Sequence, residues 1–427
     1  MKLKKWLALA LFAALCFQLA ACAAPVDDDQ KPDASNGTSK PVPSESVEPT
    51  GYPSVTLTGN GEAREPDAEF AAASAEFAAA LLKNAAKGEN TVISPYSVQL
   101  ALAMTANGAS GETLAQLEQV FGLSVQQLNA YLLACGQKST EEFTAANALW
   151  VREDYPVSED FLQTDRDYYG AEINSIPFSS ATCDEINSWV NYQTRGKIEK
   201  IIDEMDPDAV MYLVNALAFS ATWRKEYITS DVQKELFHAA SGDTQAELMY
   251  SDEYWYLRDE NTVGFLKDYE NDRFCYAVLL PQEGTSLDDY VASLSGEKLT
   301  ALMANASQEK IHAVMPKFTT EYSTELGAVL QTMGASDAFD KDKADFSAMS
   351  PEAKETHLRI GRVLHKTFLQ VNETGTEAAA ATTVEMVAES TAIPQEYKTV
   401  RVDRPFVCGI YDREMQCFLF LGAIYTV

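Results

Sequence analysis

Positive charge is scarce in this chain: 33 lysines and arginines stand against 63 aspartates and glutamates, for a formal net charge of −30. Nucleic acid, heparin-like polyanions and anionic membrane surfaces are all recognised through clustered Lys and Arg, so this balance argues against them as partners. Solubility and self-repulsion account for the surplus of acid. Histidine is scarcer still. His238, His312, His357 and His365 show no paired ligand spacing, and no C-x-x-C pair occurs among the seven cysteines, so no metal and no other cofactor is expected. The chain also lacks a G-x-S-x-G elbow, an H-E-x-x-H helix motif, a Walker-type glycine loop and a dinucleotide fingerprint. Nothing points to an enzyme. No period of 20 to 50 residues repeats, which excludes a solenoid.

Only one stretch is strongly apolar, and it lies at the N-terminus. Lys2, Lys4 and Lys5 precede a run from Trp6 to Leu19 that is short for a membrane span and reads as a secretory signal. It ends in Leu19-Ala20-Ala21-Cys22, which resembles the bacterial lipobox, where cleavage leaves a cysteine carrying lipid. Residues 1–21 are therefore expected to be a signal peptide and Cys22 a lipid anchor. From there to residue 65 the chain is rich in Asp, Ser, Thr and Gly, with Pro25, Pro32, Pro41, Pro43, Pro49 and Pro53. Such a segment buries too little surface to offset the entropy of ordering it, and reads as a flexible tether. The expected location is the outer face of a bacterial membrane, or the medium after release.

The remainder, residues 66–427, is long enough for a large core without a disulfide framework. Cys135, Cys183, Cys275, Cys408 and Cys417 are widely spaced; the last two fall on neighbouring strands, and a bond between them is left open. Pro66-Asp67 followed by Phe70, Ala73, Phe77 and Leu81 signals a first helix, with others over Tyr96 to Asn107 and Cys183 to Arg195. Strand patterns follow at Tyr212 to Phe219, Tyr276 to Pro281, His312 to Phe318 and His365 to Val371, and in a terminal hairpin of Phe406 to Tyr411 with Cys417 to Ala423. Helices crowd the first half and strands the second, the order of an α+β domain.

Several segments, in order, resemble the serpins. These are Asn90-Thr91-Val92-Ile93-Ser94-Pro95-Tyr96-Ser97 with Asn107-Gly108-Ala109, Ile186-Asn187-Ser188-Trp189-Val190 with Thr194-Arg195-Gly196-Lys197-Ile198, Leu213-Val214-Asn215-Ala216, Met315-Pro316-Lys317-Phe318, Met333-Gly334, Ala344-Asp345-Phe346-Ser347 and Arg404-Pro405-Phe406. The resemblance implies a serpin fold, with helices on a large mixed central sheet plus smaller sheets, and an exposed reactive-centre loop over about 373–400. It also implies a monomer that traps a serine protease as a covalent acyl-enzyme, with no nucleic acid involved and membrane contact through the lipid alone. Ser94, Ser97, Asn215 and His365 match a latch under the sheet, while Trp223, Lys317 and Glu373 match the region where the loop first enters. An ion pair between Lys317 and Glu373 is expected.

The segment from Glu373 to Thr383 is similar to the hinge of inhibitory serpins, which slides into the sheet as a new strand after cleavage. Its Gly375, Thr376, Ala378, Ala379, Ala380, Ala381 and Thr382 suit that passage, because bulky or charged groups would clash or be buried between packed strands. Gly375 is expected to supply φ freedom at the turning point. Alternation puts Thr376, Ala378, Ala380 and Thr382 inward and Glu377 outward. Two positions depart from the family pattern: Thr374 stands where many inhibitory members carry charge, and Phe219-Ser220-Ala221 replaces an aromatic-Lys-Gly run.

Counting the family's spacing from Glu373 puts the scissile bond at Glu389-Ser390. The nearby Val387, Ala388, Thr391 and Ala392 better suit the small apolar pocket of an elastase-like or subtilisin-like enzyme. A non-inhibitory serpin serving as a binding or storage protein is the alternative, and a two-lobed solute-binding lipoprotein a more distant one.

Overall fold

The computed structural model describes residues 61–376 and 397–427. The signal, Cys22 and most of the tether lie outside these, as do Ala378, Ala379, Ala380, Ala381, Thr382, Val387, Ala388, Glu389, Ser390, Thr391 and Ala392.

The chain opens with α1 (Ala68–Ala85), β1 (Thr91–Ile93), α2 (Pro95–Ala106), α3 (Gly111–Phe121), α4 (Val125–Gly136), β2 (Phe143–Arg152), α5 (Glu159–Tyr169), β3 (Glu172–Ile176) and α6 (Ser180–Gln193). Strands then dominate: β4 (Met211–Phe219), β5 (Ala221–Thr222), β6 (Val232–Ala239), β7 (Gly242–Arg258), β8 (Thr262–Asp268) and β9 (Phe274–Pro281). After α7 (Leu287–Ser293) and α8 (Gly296–Ala304) come β10 (Ser307–Pro316), β11 (Phe318–Glu325), α9 (Gly327–Met333), β12 (Leu364–Val371), β13 (Gly375–Thr376), β14 (Lys398–Arg401), β15 (Phe406–Asp412) and β16 (Cys417–Ile424).

Local chemistry explains the boundaries that matter for the site. Asp67 caps α1 by accepting from the amides of Glu69 and Phe70. Ser94 caps α2 through the Ser97 amide, and Pro95 occupies the first helical position, where no N–H is needed. The single strand expected over His312 to Phe318 is two. Pro316 ends β10, and Lys317 turns its N–H to the Glu247 carbonyl at 2.8 Å before β11 begins.

One large sheet runs β1-β16-β15-β9-β8-β7-β10-β14, with β6 paired to β7. Two smaller ladders, β11-β12-β13-β5 and β3-β2-β4, belong to one surface, because only Ser220 separates β4 from β5 in the chain. β2 is sandwiched: Phe143, Leu149 and Val151 join the main core, and Ala146, Ala148 and Trp150 join a second cluster with Ile186, Trp189 and Val190 of α6. Burial on both faces erases the alternation by which a strand is read, and so β2 escaped the sequence reading.

Two expectations change. Residues 61–65, assigned to the tether, lie against the body: the Arg64 amide donates to the Ala130 carbonyl at 3.0 Å, and Glu65 pairs with Lys138 at 2.9 Å. The Cys408–Cys417 bond is excluded. Cys408 stands opposite Gly422, while Cys417 stands opposite Asp412, four residues or about 13 Å further along the strand. All five described cysteines are free and buried.

Candidate functional site

The two smaller ladders leave a slot. β4 is paired on one side with β2, β12 on one side with β11, and among the described residues no rung joins β4 to β12. Among the described residues only β13 joins the two ladders, at one end, with Thr376 opposite both Val371 of β12 and Ala221 of β5, the strand that continues β4. β13 is antiparallel to both neighbours, so the two facing edges run parallel to each other. Stepping away from the bridge by twos, Phe219, Leu217 and Asn215 stand level with Leu369, Thr367 and His365. Along β12 burial alternates, with His365, Thr367, Leu369 and Val371 pointing inward. A cavity of about 680 Å³ follows the slot, floored by Val98, Ala101 and Leu102 of α2.

The bridged end is held by backbone contacts. Gly375 is there for space, and the φ freedom expected of it is not used: it has no positive φ, and a Cβ would lie 2.1 Å from the Ala221 carbonyl oxygen. Trp223 donates its amide to the Thr374 carbonyl and its indole N–H to the Asn372 carbonyl, both at 2.9 Å, and stacks on Tyr269 at 4.5 Å. Tyr269 in turn meets Thr376 Oγ1 at 2.5 Å. The Asn372 side chain closes a tight turn, its Oδ1 accepting from the amides of Thr374 and Gly375. Lys317 Nζ lies 2.8 Å from Glu373 Oε1. Burial, the largest single influence, would raise the Glu373 carboxyl, but the Lys317 hydrogen bond, a backbone hydrogen bond and the Lys317 charge together hold the group below the usual carboxylate range.

Midway along, the N-terminus of α2 stitches the two edges together, through the backbone amide of its cap Ser94 on one side and the Ser97 side chain on the other. His365 Nε2 accepts from the Ser94 amide at 3.1 Å, Ser94 Oγ accepts from the Ser97 amide at 3.3 Å, and Ser97 Oγ donates to Asn215 Oδ1. Asn215 Nδ2 reaches Asn147 Oδ1 at 2.8 Å. His365 must be unprotonated at Nε2 to accept, and burial pushes its pKa down to about 4. A depressed folded value means stability present above the unfolded value, near 6.5, and lost as pH falls towards 4, on the order of 3 kcal/mol. The thermal midpoint of the native form should therefore fall more steeply from pH 6.5 to 4 than that of His365→Gln, which keeps an acceptor and does not titrate. Equal slopes would remove His365 from the latch.

A family model described as serpin (serine protease inhibitor) matches residues 72–427. The chain belongs to the serpin family. An uncharacterised serpin-like protein of Thermococcus kodakarensis is 33% identical over 350 residues, covering 79% of this chain and 81% of its own. Leukocyte elastase inhibitor A of Mus musculus is 32% identical over 358 residues, covering 78% and 92%. The thermophilic serpin tengpin in its native state superposes with a TM-score of 0.79 at 38% identity, covering 86% of this chain and 97% of its own. Human thyroxine-binding globulin in complex with its ligand superposes with a TM-score of 0.73 at 27% identity, covering 84% and 98%.

The serpin fold thus gathers Ser94, Ser97, Asn215 and His365 at mid-slot and Trp223, Lys317, Glu373, Gly375 and Thr376 at its bridged end. Asn147, Tyr269 and Asn372 are further parts of the site that the sequence reading missed. Asn372 carried a usable signal, since an Asn at the head of Asn372-Glu373-Thr374-Gly375 favours the turn it makes. Asn147 and Tyr269 sit in strand-like stretches that give no hint of their partners.

Proposed function

We propose that this serpin inhibits serine proteases by inserting its cleaved loop into the slot between β4 and β12. The observation that carries the reading is the slot itself, two facing unpaired strand edges with the first rung of a new strand, Thr376, already seated between them. Continued in register, Ala378, Ala380 and Thr382 would meet the levels of Phe219, Leu217 and Asn215 with small, uncharged, inward-facing side chains. A protease acylated near Glu389, 14 residues from Thr376 counted inclusively, would be carried roughly 45 Å. Distortion of its active site must then outrun hydrolysis of the acyl bond, a kinetic competition won from a metastable start. Val387, Ala388, Thr391 and Ala392 favour elastase-like or subtilisin-like targets.

The test is incubation with a panel of serine proteases, including a Glu-specific one. A protease–serpin complex that survives denaturing electrophoresis is expected, with mass spectrometry placing the cut between residues 387 and 392. Cleaved loop with no such complex would overturn the reading. Under the second reading, a binding or storage serpin, Thr374 and the Phe219-Ser220-Ala221 run are the features of interest, and loop cleavage would leave thermal stability unchanged. We further propose that Cys22 carries lipid and tethers the domain outside the cell. Cys22→Ala should move the protein from the membrane fraction to the medium.

A further inference from the structure

A polar chain, buried at Asn147, Tyr169, Asn129 and Asp165 and half-buried at Asn107, leads from the latch away from the slot. Asn147 Nδ2 donates to the Tyr169 carbonyl at 2.9 Å, and the Tyr169 hydroxyl donates to Asn129 Oδ1. Asn129 Nδ2 donates to Asn107 Oδ1 at 2.8 Å, and Asn107 Nδ2 donates to Asp165 Oδ1 at 3.0 Å. From Ser97 onward every donor points the same way, through Asn215 and Asn147 towards Asp165. Asp165 is fully buried, and its Oδ2 has no hydrogen-bond partner among the described residues. A buried carboxyl bound through one oxygen is costly to keep as an anion, and burial pushes its pKa well above the usual range. An acid in such a place needs a reason.

Geometry supplies one. Asp165 and Tyr169 are four residues apart on one face of α5, so fixing Asp165 fixes the end of the helix whose carbonyl Asn147 grips. For a strand to enter between β4 and β12, β4 must part from β12 and take along β2, to which it is laddered from Phe143 to Val151. The bonds Ser97 to Asn215 and Asn147 to Tyr169 both cross from this moving pair to α2 and α5. Both must break when the slot opens.

We propose that Asn107, Asn129 and Asp165 form the distant anchor of the latch, with Asp165 a positioning residue that sets the barrier to slot opening. The proposal rests on the loop-insertion reading. Asp165→Leu removes the acceptor at the end of the chain and orphans the Asn107 donor, while Asp165→Asn keeps a carbonyl there. Asn107→Ala cuts the same link from the other side and serves if the Leu variant does not fold.

The rate measurement uses no protease, which serves only to make the loop-cleaved controls: intact protein is held warm, and conversion to a form with the loop inserted is followed as a rise in melting temperature. The Leu variant should convert about tenfold faster than wild type, the cost of one part-buried hydrogen bond with its donor left unpaired, and the Ala variant, which loses the bonds to both Asp165 and Asn129, at least as fast. The Asn variant should convert near the wild-type rate, and the loop-cleaved forms of all of them should melt within a few degrees of one another. Conversion no faster in Leu and Ala variants, or cleaved forms weakened as much as native ones, would overturn the proposal. Failure of the inhibitory reading shows separately, as wild type that forms no denaturant-resistant complex.

Discussion

Cutting the loop once, with any protease that reaches it, should raise the melting temperature of this serpin by at least about 10 °C without any new ligand. Among the described residues two strand edges, β4 over Met211–Phe219 and β12 from residue 364 to 370, face each other unpaired on either side of a cavity. Once the chain is cut, residues 377 to 384 are free to fill the gap and pair on both sides. About a dozen new ladder bonds, each contributing roughly 1 kcal/mol, stabilise the product by on the order of 10 kcal/mol before apolar burial is added. Unfolding entropy near 2.1 cal/mol/K per residue makes each kcal/mol worth about 1.3 °C in a body of this size. Calorimetry before and after limited cleavage reads the result directly. An unchanged midpoint would leave the slot without a mechanical role and favour the binding or storage reading.

Under the proposed mechanism the free energy behind that rise also drives inhibition, which gives the latch its meaning. A slot that closed on the uncut loop would discharge the store before any protease arrived. The bonds from Ser94 to His365 and from Ser97 to Asn215 reach both edges from a single helix terminus. They tie β4 and β12 to α2 while leaving the space between them open. Their partners are side chains rather than ladder groups, so they can break during insertion without competing for the backbone donors and acceptors that the new strand needs.

How much of this the sequence reveals depends on whether a residue's role is local. The hinge is legible because insertion as a strand imposes a local rule, small and uncharged at every second position, and Thr376 obeys it in a described rung. Gly375 was correctly singled out for the wrong reason: its crowding against the Ala221 carbonyl is a tertiary fact, invisible to a rule about φ. The Cys408–Cys417 question turns on the register of the hairpin, which sets Cys408 opposite Gly422 and Cys417 opposite Asp412 and which an alternation pattern does not encode. Asn107, Asn129 and Asp165 lie at or within helices, where polar side chains ordinarily read as solvated faces. The burial of Asn129 and Asp165, and the bonds that the half-buried Asn107 makes to both, emerge only when α2, α4 and α5 pack together.

Replacing Thr376 with arginine should convert the inhibitor into a substrate. Thr376 is 1% exposed, wedged between Val371 and Ala221 with its hydroxyl against Tyr269. An arginine there must bury its guanidinium with no carboxylate among those contacts, a penalty of several kcal/mol, or swing outward and pull the hinge off its first rungs. Either way the strand cannot start to form, and insertion slows while deacylation by the bound protease continues at its own rate. A barrier raised by ~3 kcal/mol slows insertion more than a hundredfold, which shifts nearly all flux from trapped complex to cleaved loop. The measurement is the number of inhibitor molecules consumed per protease inactivated, expected to rise at least tenfold, with initial cleavage no slower than in wild type. Thr376→Val, which keeps the shape and stays apolar, should still form complex. If the arginine variant traps protease as well as wild type does, inhibition does not proceed through this slot.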